Sequence, residues 1–268
     1  MSNLALRVLT GIVALPLTFA LVFWREPLGF GALVLVIAAL ALTEYTGITL
    51  AKAPVRVRAG VVVIGVGLVA GLYLRPELAM IWLLTAVVAV SALVLFSPGE
   101  ISGAGARLGF AGFGVLYLGI LPVPLALIHR DATDGSVWVA ATIVVTFAND
   151  TGAYFAGRFL GKHKLYPAIS PGKTVEGAVG GLVGGLLVLL ALRFAFFARS
   201  LSIADCIWVA VPGAVVGPIG DLVESMIKRA AGVKDSGKLL PGHGGMLDRI
   251  DALLFVGAWV YVYAVHIR

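Results

Sequence analysis

Apolar runs of roughly 17 to 22 residues recur along the whole chain and constrain its fold more than any other feature. Each run is long enough to cross about 30 Å of hydrocarbon as an α-helix. The chain is 60% hydrophobic and only 13% charged, so it cannot present a polar surface to water on all sides. A transmembrane β-barrel would alternate apolar and polar residues over about ten positions, a pattern that the sequence lacks. The sequence therefore predicts an all-α integral membrane protein.

Nine membrane-spanning helices with short loops account for these runs. The predicted spans are Val8–Trp24, Gly29–Leu50, Ala59–Leu74, Leu78–Phe96, Leu108–Ile128, Ser136–Phe155, Gly177–Phe197, Ile203–Lys228 and Ile250–Val265. We divide the chain into an N-terminal region of five spans, residues 1–135, and a C-terminal region, residues 136–268. The C-terminal region carries two polar loops, at about 156–176 and 228–250, which contain most candidate functional residues.

The distribution of Lys and Arg between the loops predicts the orientation, because cytoplasmic loops carry an excess of these residues. With the N-terminus in the cytoplasm, 14 of the 20 Lys and Arg residues fall on the cytoplasmic side. The six on the opposite side are Arg25, Arg75, Arg130, Arg193, Arg199 and Arg268. Both polar loops are then cytoplasmic, where the net charge of +6 would meet anionic headgroups and dissolved phosphates.

Four polar residues near the end of the eighth span stand at helical spacing, so that a helix aligns them along one stripe. They are Asp221, Glu224, Ser225 and Lys228. An acid inside a membrane helix costs about 2.5 to 3.5 kcal/mol on insertion, so two acids need a compensating cation or a water-filled cleft. Lys228 supplies part of that compensation, and Mg²⁺, which prefers hard oxygen ligands, would supply more. Salt bridges that need no metal are the alternative, and the spacing does not separate the two.

A second pair of carboxylates, Asp248 and Asp251, lies at the predicted start of the ninth span. The helix dipole favours acids there, which is a sufficient structural explanation. Two acidic helix ends joined by a basic, glycine-containing loop would also suit Mg²⁺ and phosphate. The loop cations and glycines are Lys228, Arg229, Lys234, Lys238, Gly242, Gly244 and Gly245. His243 has no second histidine or cysteine at zinc spacing, and it fits a phosphate contact or a loop hydrogen bond.

The other polar loop carries a second group of candidates. They are Asn149, Asp150, Ser170, Lys173, Thr174 and Glu176. Its Gly-Lys-Thr is not a P-loop, because Pro167 stands where that motif requires glycine and no strand is expected before it. Ser170, Lys173 and Thr174 at a helix start predict an anion site, since free N–H groups and the helix dipole attract phosphate there. A simple N-cap at Ser170 or Thr174 explains the pattern equally well.

Three further features have structural interpretations. Gly177, Gly181 and Gly185 form a row of small residues in the seventh span, which favours close helix packing. Glu44 in the second span is the one N-terminal acid expected to be buried, and a hydrogen-bonded structural role fits it better than catalysis. The single cysteine, Cys206, excludes internal disulfides and cysteine-rich zinc sites.

The segment from Ser225 to Asp251 resembles the signature of the phosphatidate cytidylyltransferases (CDP-diacylglycerol synthases). The matching residues are Ser225, Lys228, Arg229, Lys234, Asp235, Gly237, Leu240, Pro241, His243, Gly244, Gly245, Asp248, Arg249 and Asp251. Asn149-Asp150 and the residues from Ser170 to Gly177 are similar to the second polar block of that family. Gly172 departs from it, because Lys or Arg is commoner there. The first five spans match only in hydropathy.

The resemblance implies an integral membrane enzyme that joins CTP and phosphatidate to give CDP-diacylglycerol and pyrophosphate. It also implies Mg²⁺, together with a monovalent cation such as K⁺. The expected protein is a homodimer in a bacterial inner membrane, with its active site facing the cytoplasm and no nucleic-acid partner.

Roles for individual residues follow from the resemblance. Asp221 and Asp248 would be the principal metal ligands and catalytic residues, with Glu224 and Asp251 near them. The cations that would hold the nucleotide triphosphate or the lipid phosphate are Lys228, Arg229, Lys234 and Arg249, of which Lys228 and Arg249 are also catalytic. Substrate-binding roles fall to Asn149, Asp150, Ser170, Lys173, Thr174, Glu176, Ser225, Asp235, His243, Gly244 and Gly245.

Two other functions are open alternatives. A CTP-dependent polyprenol or phytol kinase shares parts of this architecture but would release CDP, whereas the implied reaction releases pyrophosphate. A secondary transporter would also have many spans and intramembrane acids, but transport sites generally lie near the midplane of the membrane. The ionisable residues here collect at one face and in two loops, which favours the transferase.

Overall fold

The computed structural model describes residues 12, 15–24, 26–97, 99–237, 239 and 244–268. The helices are α1 (Pro27–Thr49), α2 (Val55–Leu74), α3 (Ala79–Leu95), α4 (Ala104–Ile120), α5 (Val123–Asp131), α6 (Gly135–Leu160), α7 (Val175–Leu192), α8 (Ile203–Ala230) and α9 (Leu247–Val262). Two short strands, β1 (Lys164–Tyr166) and β2 (Ser170–Thr174), form an antiparallel ribbon. A further helical stretch covers residues 15–22. Apart from the ribbon, the described elements are helical, as predicted.

Seven of the described helical segments are long and apolar enough to cross a membrane. They are Pro27–Thr49, Val55–Leu74, Pro76–Leu95, Ile101–Asp131, Val175–Phe197, Ile203–Ala230 and Leu247–Ile267. The chain is therefore a multi-pass helical membrane protein. α6 is long enough at 26 residues but does not belong to these seven, and Asn149 and Asp150 lower its hydropathy. The predicted first span, Val8–Trp24, lies largely outside the described residues, so the count of nine stays a prediction.

The predicted fifth span, Leu108–Ile128, is not one continuous helix. It is divided between α4 and α5, with the break at Leu121 and Pro122. Proline has no backbone N–H and its ring crowds the preceding turn. Pro122 therefore cannot donate a helical hydrogen bond, and the chain turns before α5 begins.

The chain forms two compact units. The first comprises Met1–Ala126 and Ala230–Arg249, and the second comprises Leu127–Arg229 and Ile250–Arg268. The loop that follows α8 therefore belongs to the same unit as the N-terminal helices. Glu44 of α1 accepts hydrogen bonds from Ser236, Met246 and Leu247, which holds the two ends of this loop to that unit.

The first unit is built from α1, α2, α3 and α4, which pack by inserting large side chains opposite glycines. Tyr45 of α1 is fully buried, and its hydroxyl donates to the carbonyl of Phe110 at 2.9 Å. A Cβ atom at Gly114 of α4 would overlap the ring of Tyr45. Small residues at such positions let membrane helices approach closely without a hydrophobic driving force between them.

In the second unit, α6 and α7 pack through the glycine row that the sequence predicted. A Cβ atom on Gly181 would overlap the side chain of Asn149, and one on Gly185 would lie 3.2 Å from Val145. The row therefore serves packing within the chain, and α6 and α7 run antiparallel along it.

Helices α8 and α9 also pack antiparallel in the second unit. Trp259 donates its indole N–H to the carbonyl of Trp208 at 2.7 Å. Nearer the other end of α8, a Cβ atom on Gly220 would lie 2.5 Å from the carbonyl oxygen of Asp251. This close approach brings the polar stripe of α8 next to the first turns of α9.

Candidate functional site

The polar stripe on α8 forms as predicted, and both of its acids are paired with lysines. Glu224 has no exposed side-chain surface and forms an ion pair with Lys228, whose side chain is 11% exposed. Asp221 is 36% exposed and pairs with Lys173, with 3.0 Å between Oδ2 and Nζ. Ser225 donates its hydroxyl to Oδ1 of Asp221 at 3.2 Å. Lysine therefore neutralises each acid, as the salt-bridge interpretation requires, and metal binding by this stripe stays a prediction.

Lys173 reaches Asp221 because the ribbon holds it over α8. Thr174 pairs with Lys164 and Ser170 with Tyr166 across the two strands. The Lys173 ammonium also donates to the carbonyl of Pro218 at 3.4 Å. The expectation that no strand precedes this segment was wrong. The contact between Lys173 and Asp221 was also missed, because it joins elements far apart in the sequence.

The end of the ribbon is tied to the start of α7. Glu176 accepts hydrogen bonds from the backbone N–H groups of Lys162 at 3.1 Å and His163 at 3.2 Å. Its Oε1 lies 2.6 Å from Nδ1 of His163. Thr174 accepts from the N–H of Gly177 at 3.0 Å, so the N-cap interpretation is confirmed for Thr174. Glu176 and Thr174 thus stabilise the start of α7, next to Lys173.

Asn149, Asp150 and Asp251 complete the predicted residues near the stripe. Asn149 is buried on α6, and a Cβ atom on Gly217 of α8 would lie 3.9 Å from its Nδ2. Asp251 is half-buried, and a Cβ atom on Gly220 of α8 would lie 2.5 Å from its carbonyl oxygen. Asp251 therefore lies where α9 contacts the part of α8 that carries Asp221.

In the first unit, Asp248 holds together the loop that precedes it. Its Oδ2 accepts hydrogen bonds from the backbone N–H groups of Ser236 at 3.0 Å and Gly245 at 2.9 Å. The Ser236 hydroxyl lies 3.0 Å from the same oxygen. Gly244 adopts φ = +81°, a left-handed conformation that favours glycine. The Asp248 carboxylate, in the first turn of α9, therefore fixes both ends of the loop.

Glu44 of α1 binds the same loop. It accepts hydrogen bonds from the Ser236 hydroxyl at 2.9 Å and from the N–H groups of Met246 and Leu247 at 2.9 and 3.0 Å. The hydrogen-bonded role predicted for Glu44 is confirmed, but the residue is half-buried where the sequence predicted burial. Its link to the loop was missed, because a lone acid in an apolar helix signals that it needs partners without identifying them.

The other predicted residues differ in exposure. Ser170 begins β2 and is half-buried. The exposed residues after the stripe and at the start of α9 are Arg229, Lys234, Asp235 and Arg249. Gly245 is buried against Ser236 and Glu44, which leave no room for a Cβ atom. Lys238 and His243 lie outside the described residues, so their predicted phosphate contacts stay predictions.

The fit of a metal ion to these side chains is partial. Among the described residues, no three or more His, Cys, Asp or Glu side chains are grouped closely enough to hold an ion. Asp221 and Asp251 offer the carboxylate oxygens that Mg²⁺ prefers. Glu224 is bound to Lys228 instead, and Asp248 directs Oδ2 to its own loop.

Known proteins are similar to this chain in sequence. The model of the cytidylyltransferase family matches residues 5–267. A phosphatidate cytidylyltransferase of Staphylococcus haemolyticus (strain JCSC1435) is 42% identical over 146 residues, covering 54% of this chain and 56% of that protein. One from Staphylococcus saprophyticus is 42% identical over 149 residues, covering 56% and 53%. One from Staphylococcus aureus (strain COL) is 40% identical over 146 residues, covering 54% and 56%. The chain thus spans about half the length of the curated relatives it matches.

Proposed function

Because the chain belongs to the cytidylyltransferase family, we propose that it converts CTP and phosphatidate into CDP-diacylglycerol and pyrophosphate. A phosphate oxygen of phosphatidate attacks the α-phosphorus of CTP in line with the leaving group. The bond from the α-phosphorus to the oxygen that bridges it to the β-phosphorus breaks, and pyrophosphate departs with that electron pair. The relatives named phosphatidate cytidylyltransferase, at 40 to 42% identity, support this choice of substrates.

The observation that carries the proposal is the pairing of Asp221 and Glu224 with Lys173 and Lys228. A lysine ammonium group can bind either a phosphate oxygen or a carboxylate oxygen. An arriving phosphate can therefore replace Asp221 as the partner of Lys173. Until then, Asp221 keeps the ammonium in place, which lowers the cost of organising the site when substrate binds.

The remaining cations supply the rest of the charge that the reaction needs. Phosphoryl and nucleotidyl transfer depend mainly on positioning and on neutralising the charge of the phosphate oxygens. We assign Arg229, Lys234 and Arg249 to the triphosphate or the lipid phosphate. The other proposed substrate contacts are Asn149, Asp150, Ser170, Thr174, Glu176, Ser225, Asp235, His243, Gly244 and Gly245.

Mg²⁺ is the proposed cofactor, alongside a monovalent cation such as K⁺. Asp221 and Asp251 would hold Mg²⁺ through their carboxylate oxygens, and Asp248 and Glu224 are further proposed ligands. Bound Mg²⁺ would neutralise phosphate charge. Glu224 can take part only after its ion pair with Lys228 opens.

A measurement of both products tests the proposed reaction. The purified protein in lipid nanodiscs, given CTP, phosphatidate and Mg²⁺, should release one pyrophosphate for each CDP-diacylglycerol formed. Release of CDP with a phosphorylated lipid would identify a kinase instead. Nucleotide-independent uptake of a solute into sealed vesicles, without either product, would identify a transporter.

We also propose nine spans in a bacterial inner membrane, a cytoplasmic N-terminus and active site, and a homodimer. The excess of Lys and Arg in the two polar loops supports this orientation. With Cys206→Ser as background, an impermeant maleimide should label Lys234→Cys only from the cytoplasmic side. The matched variant Glu77→Cys, also exposed, should be labelled only from the other side. Reversed labelling would contradict the orientation, and a monomer in nanodiscs would contradict the homodimer.

A further inference from the structure

Two carboxylates, Glu44 and Asp248, hold the two ends of one loop in the first unit. The loop runs from 236 to 247, and Ser236 stands at its beginning while Gly245, Met246 and Leu247 stand at its end. Asp248 bonds the N–H groups of Ser236 and Gly245, and Glu44 bonds those of Met246 and Leu247. Residues 238 and 240–243 lie outside the described residues, and the bonds named above are those of the two described ends. We call this arrangement the two-carboxylate clamp.

Ser236 joins the two halves of the clamp. Its hydroxyl oxygen lies 2.9 Å from Oε2 of Glu44 and 3.0 Å from Oδ2 of Asp248. A hydroxyl has one proton, so it donates to one carboxylate at a time while the backbone N–H groups continue to hold both. Charge-assisted hydrogen bonds of this kind are shorter and stronger than neutral ones. Removing one carboxylate therefore weakens the attachment of both loop ends.

Glycines make the clamp tight. A Cβ atom on Gly237 would lie 2.5 Å from Oε1 of Glu44. One on Gly245 would overlap both the Ser236 hydroxyl and the Glu44 carboxylate. The loop backbone can reach the carboxylates only because these positions lack side chains. Any acid in a membrane helix needs polar partners, but here the loop also fits closely around the Glu44 carboxylate.

We propose that Glu44 is a positioning residue for the reaction: through the two-carboxylate clamp it holds Ser236 and residues 245–247 in place, and with them the first turn of α9, which carries Asp248 and Arg249. This inference rests on the proposed function for its catalytic consequence. Glu44 acts through Ser236, Met246 and Leu247 and is not assigned a contact with substrate. Small displacements of positioning groups reduce rates strongly, because the reacting atoms must be aligned closely.

Glu44→Gln tests the proposal with two independent measurements on the full chain in nanodiscs. The glutamine keeps one acceptor oxygen but turns an NH2 group toward the remaining donors. Amide hydrogen exchange at Met246 and Leu247, measured without nucleotide, should become at least about tenfold faster. The kcat/KM for CTP should fall at least about tenfold, while exchange in α2 stays unchanged. The matched control Glu77→Gln, an exposed acid in the same unit, should change neither quantity.

Ser236→Ala gives the same test with a smaller change, and it replaces Glu44→Gln if that variant fails to fold. The double variant should lose less kcat/KM than the product of the two single losses, because both changes disrupt one clamp. Independent losses would overturn the proposal, and so would unchanged exchange at Met246 and Leu247. Faster exchange with kcat/KM within about twofold of the unsubstituted protein would show that the clamp is only structural. If the unsubstituted protein releases no pyrophosphate, the proposed function fails, whereas the exchange measurement still tests the clamp.

Discussion

The two ends of α8 each carry a buried acid, and the partners of these acids differ in kind. Near the start of α8, Asp205 is 2% exposed and accepts hydrogen bonds from the N–H of Ser202 at 2.7 Å and the hydroxyl of Tyr263 at 2.8 Å. Arg268 lies 3.3 Å from the same carboxylate. Near the end of α8, Asp221 and Glu224 are paired with lysines.

The partners of Asp205 are fixed by the fold. Ser202 and Asp205 bond each other's backbone N–H groups at the start of α8, which is a helix cap. The Tyr263 ring packs edge-on against Trp138, and the Arg268 guanidinium lies 4.8 Å from the centre of the Trp138 ring. Neither Ser202, which caps α8, nor Tyr263, which is 5% exposed, can leave without disturbing the start of α8.

Lysine partners are different, because a flexible ammonium can exchange a carboxylate for a phosphate. We therefore expect the partners of an acid in a membrane helix to distinguish a structural acid from a functional one. An acid bound by backbone N–H, phenol and arginine should contribute stability, whereas an acid bound by lysine at a polar end of a helix should keep a cation ready for an anionic substrate.

Asp221→Asn should give the largest effect, a loss of at least about 100-fold in kcat with the fold retained. The amide cannot hold Lys173 as an ion pair or bind Mg²⁺ with a negative oxygen. Pyrophosphate release measured over a range of Mg²⁺ concentrations tests this prediction. The control is Asp131→Asn, an exposed acid paired with Arg130, which should leave kcat unchanged. A wild-type rate for Asp221→Asn at limiting Mg²⁺ would show that Asp221 is not a functional acid.

Glu224→Gln should lower the free energy of unfolding by about 3 to 5 kcal/mol, because it leaves the buried Lys228 charge without its carboxylate. The double variant Glu224→Gln with Lys228→Met should recover most of that loss, since no buried charge is then unpaired. Pyrophosphate release should not recover, because the cation is gone. Unfolding in a denaturing detergent measures the stability. Recovery of activity in the double variant would contradict a functional role for Lys228.

Tyr263→Phe should act on stability alone. The hydroxyl that it removes donates to a buried carboxylate, so the free energy of unfolding should fall by about 1.5 to 3 kcal/mol. We expect kcat to stay within about twofold of the unsubstituted protein, since the start of α8 carries no proposed substrate contact. A large fall in kcat without loss of stability would remove the distinction between the two ends of α8.

The sequence predicted contacts within one helix, and of the contacts between elements it predicted the close packing along the glycine row of α7 but not the polar contacts. The spacing of Glu224 and Lys228 placed them on one face of α8, because helix geometry relates residues four apart. The pair between Lys173 and Asp221 depends on the ribbon. The ribbon strands lack the alternating apolar pattern by which a strand is predicted from sequence. The length of the apolar segments likewise predicted the helices. The break between α4 and α5 at Pro122 was missed, because hydropathy is continuous across it.

The two polar loops show the same limit. Their charges, glycines and the N-cap at Thr174 could be read from short-range patterns. Glu44 could be predicted to need hydrogen bonds, but its partners Ser236, Met246 and Leu247 are about 200 residues away in sequence. No local rule relates positions so distant, so the two-carboxylate clamp became visible only in the structure.

Gly172→Ala should give the smallest effect, because it leaves the pair between Lys173 and Asp221 intact. Gly172 precedes Lys173 in β2, and a Cβ atom there would have no heavy atom within 4 Å. The free energy of unfolding should change by less than about 0.5 kcal/mol, and kcat should stay within about twofold. In the matched variant Gly181→Ala, the same methyl group would overlap Asn149, at a cost of about 1 to 3 kcal/mol. If Gly172→Ala lowered kcat as Asp221→Asn does, the ribbon backbone itself would bind substrate, and the lysine–acid pair would not be the functional element.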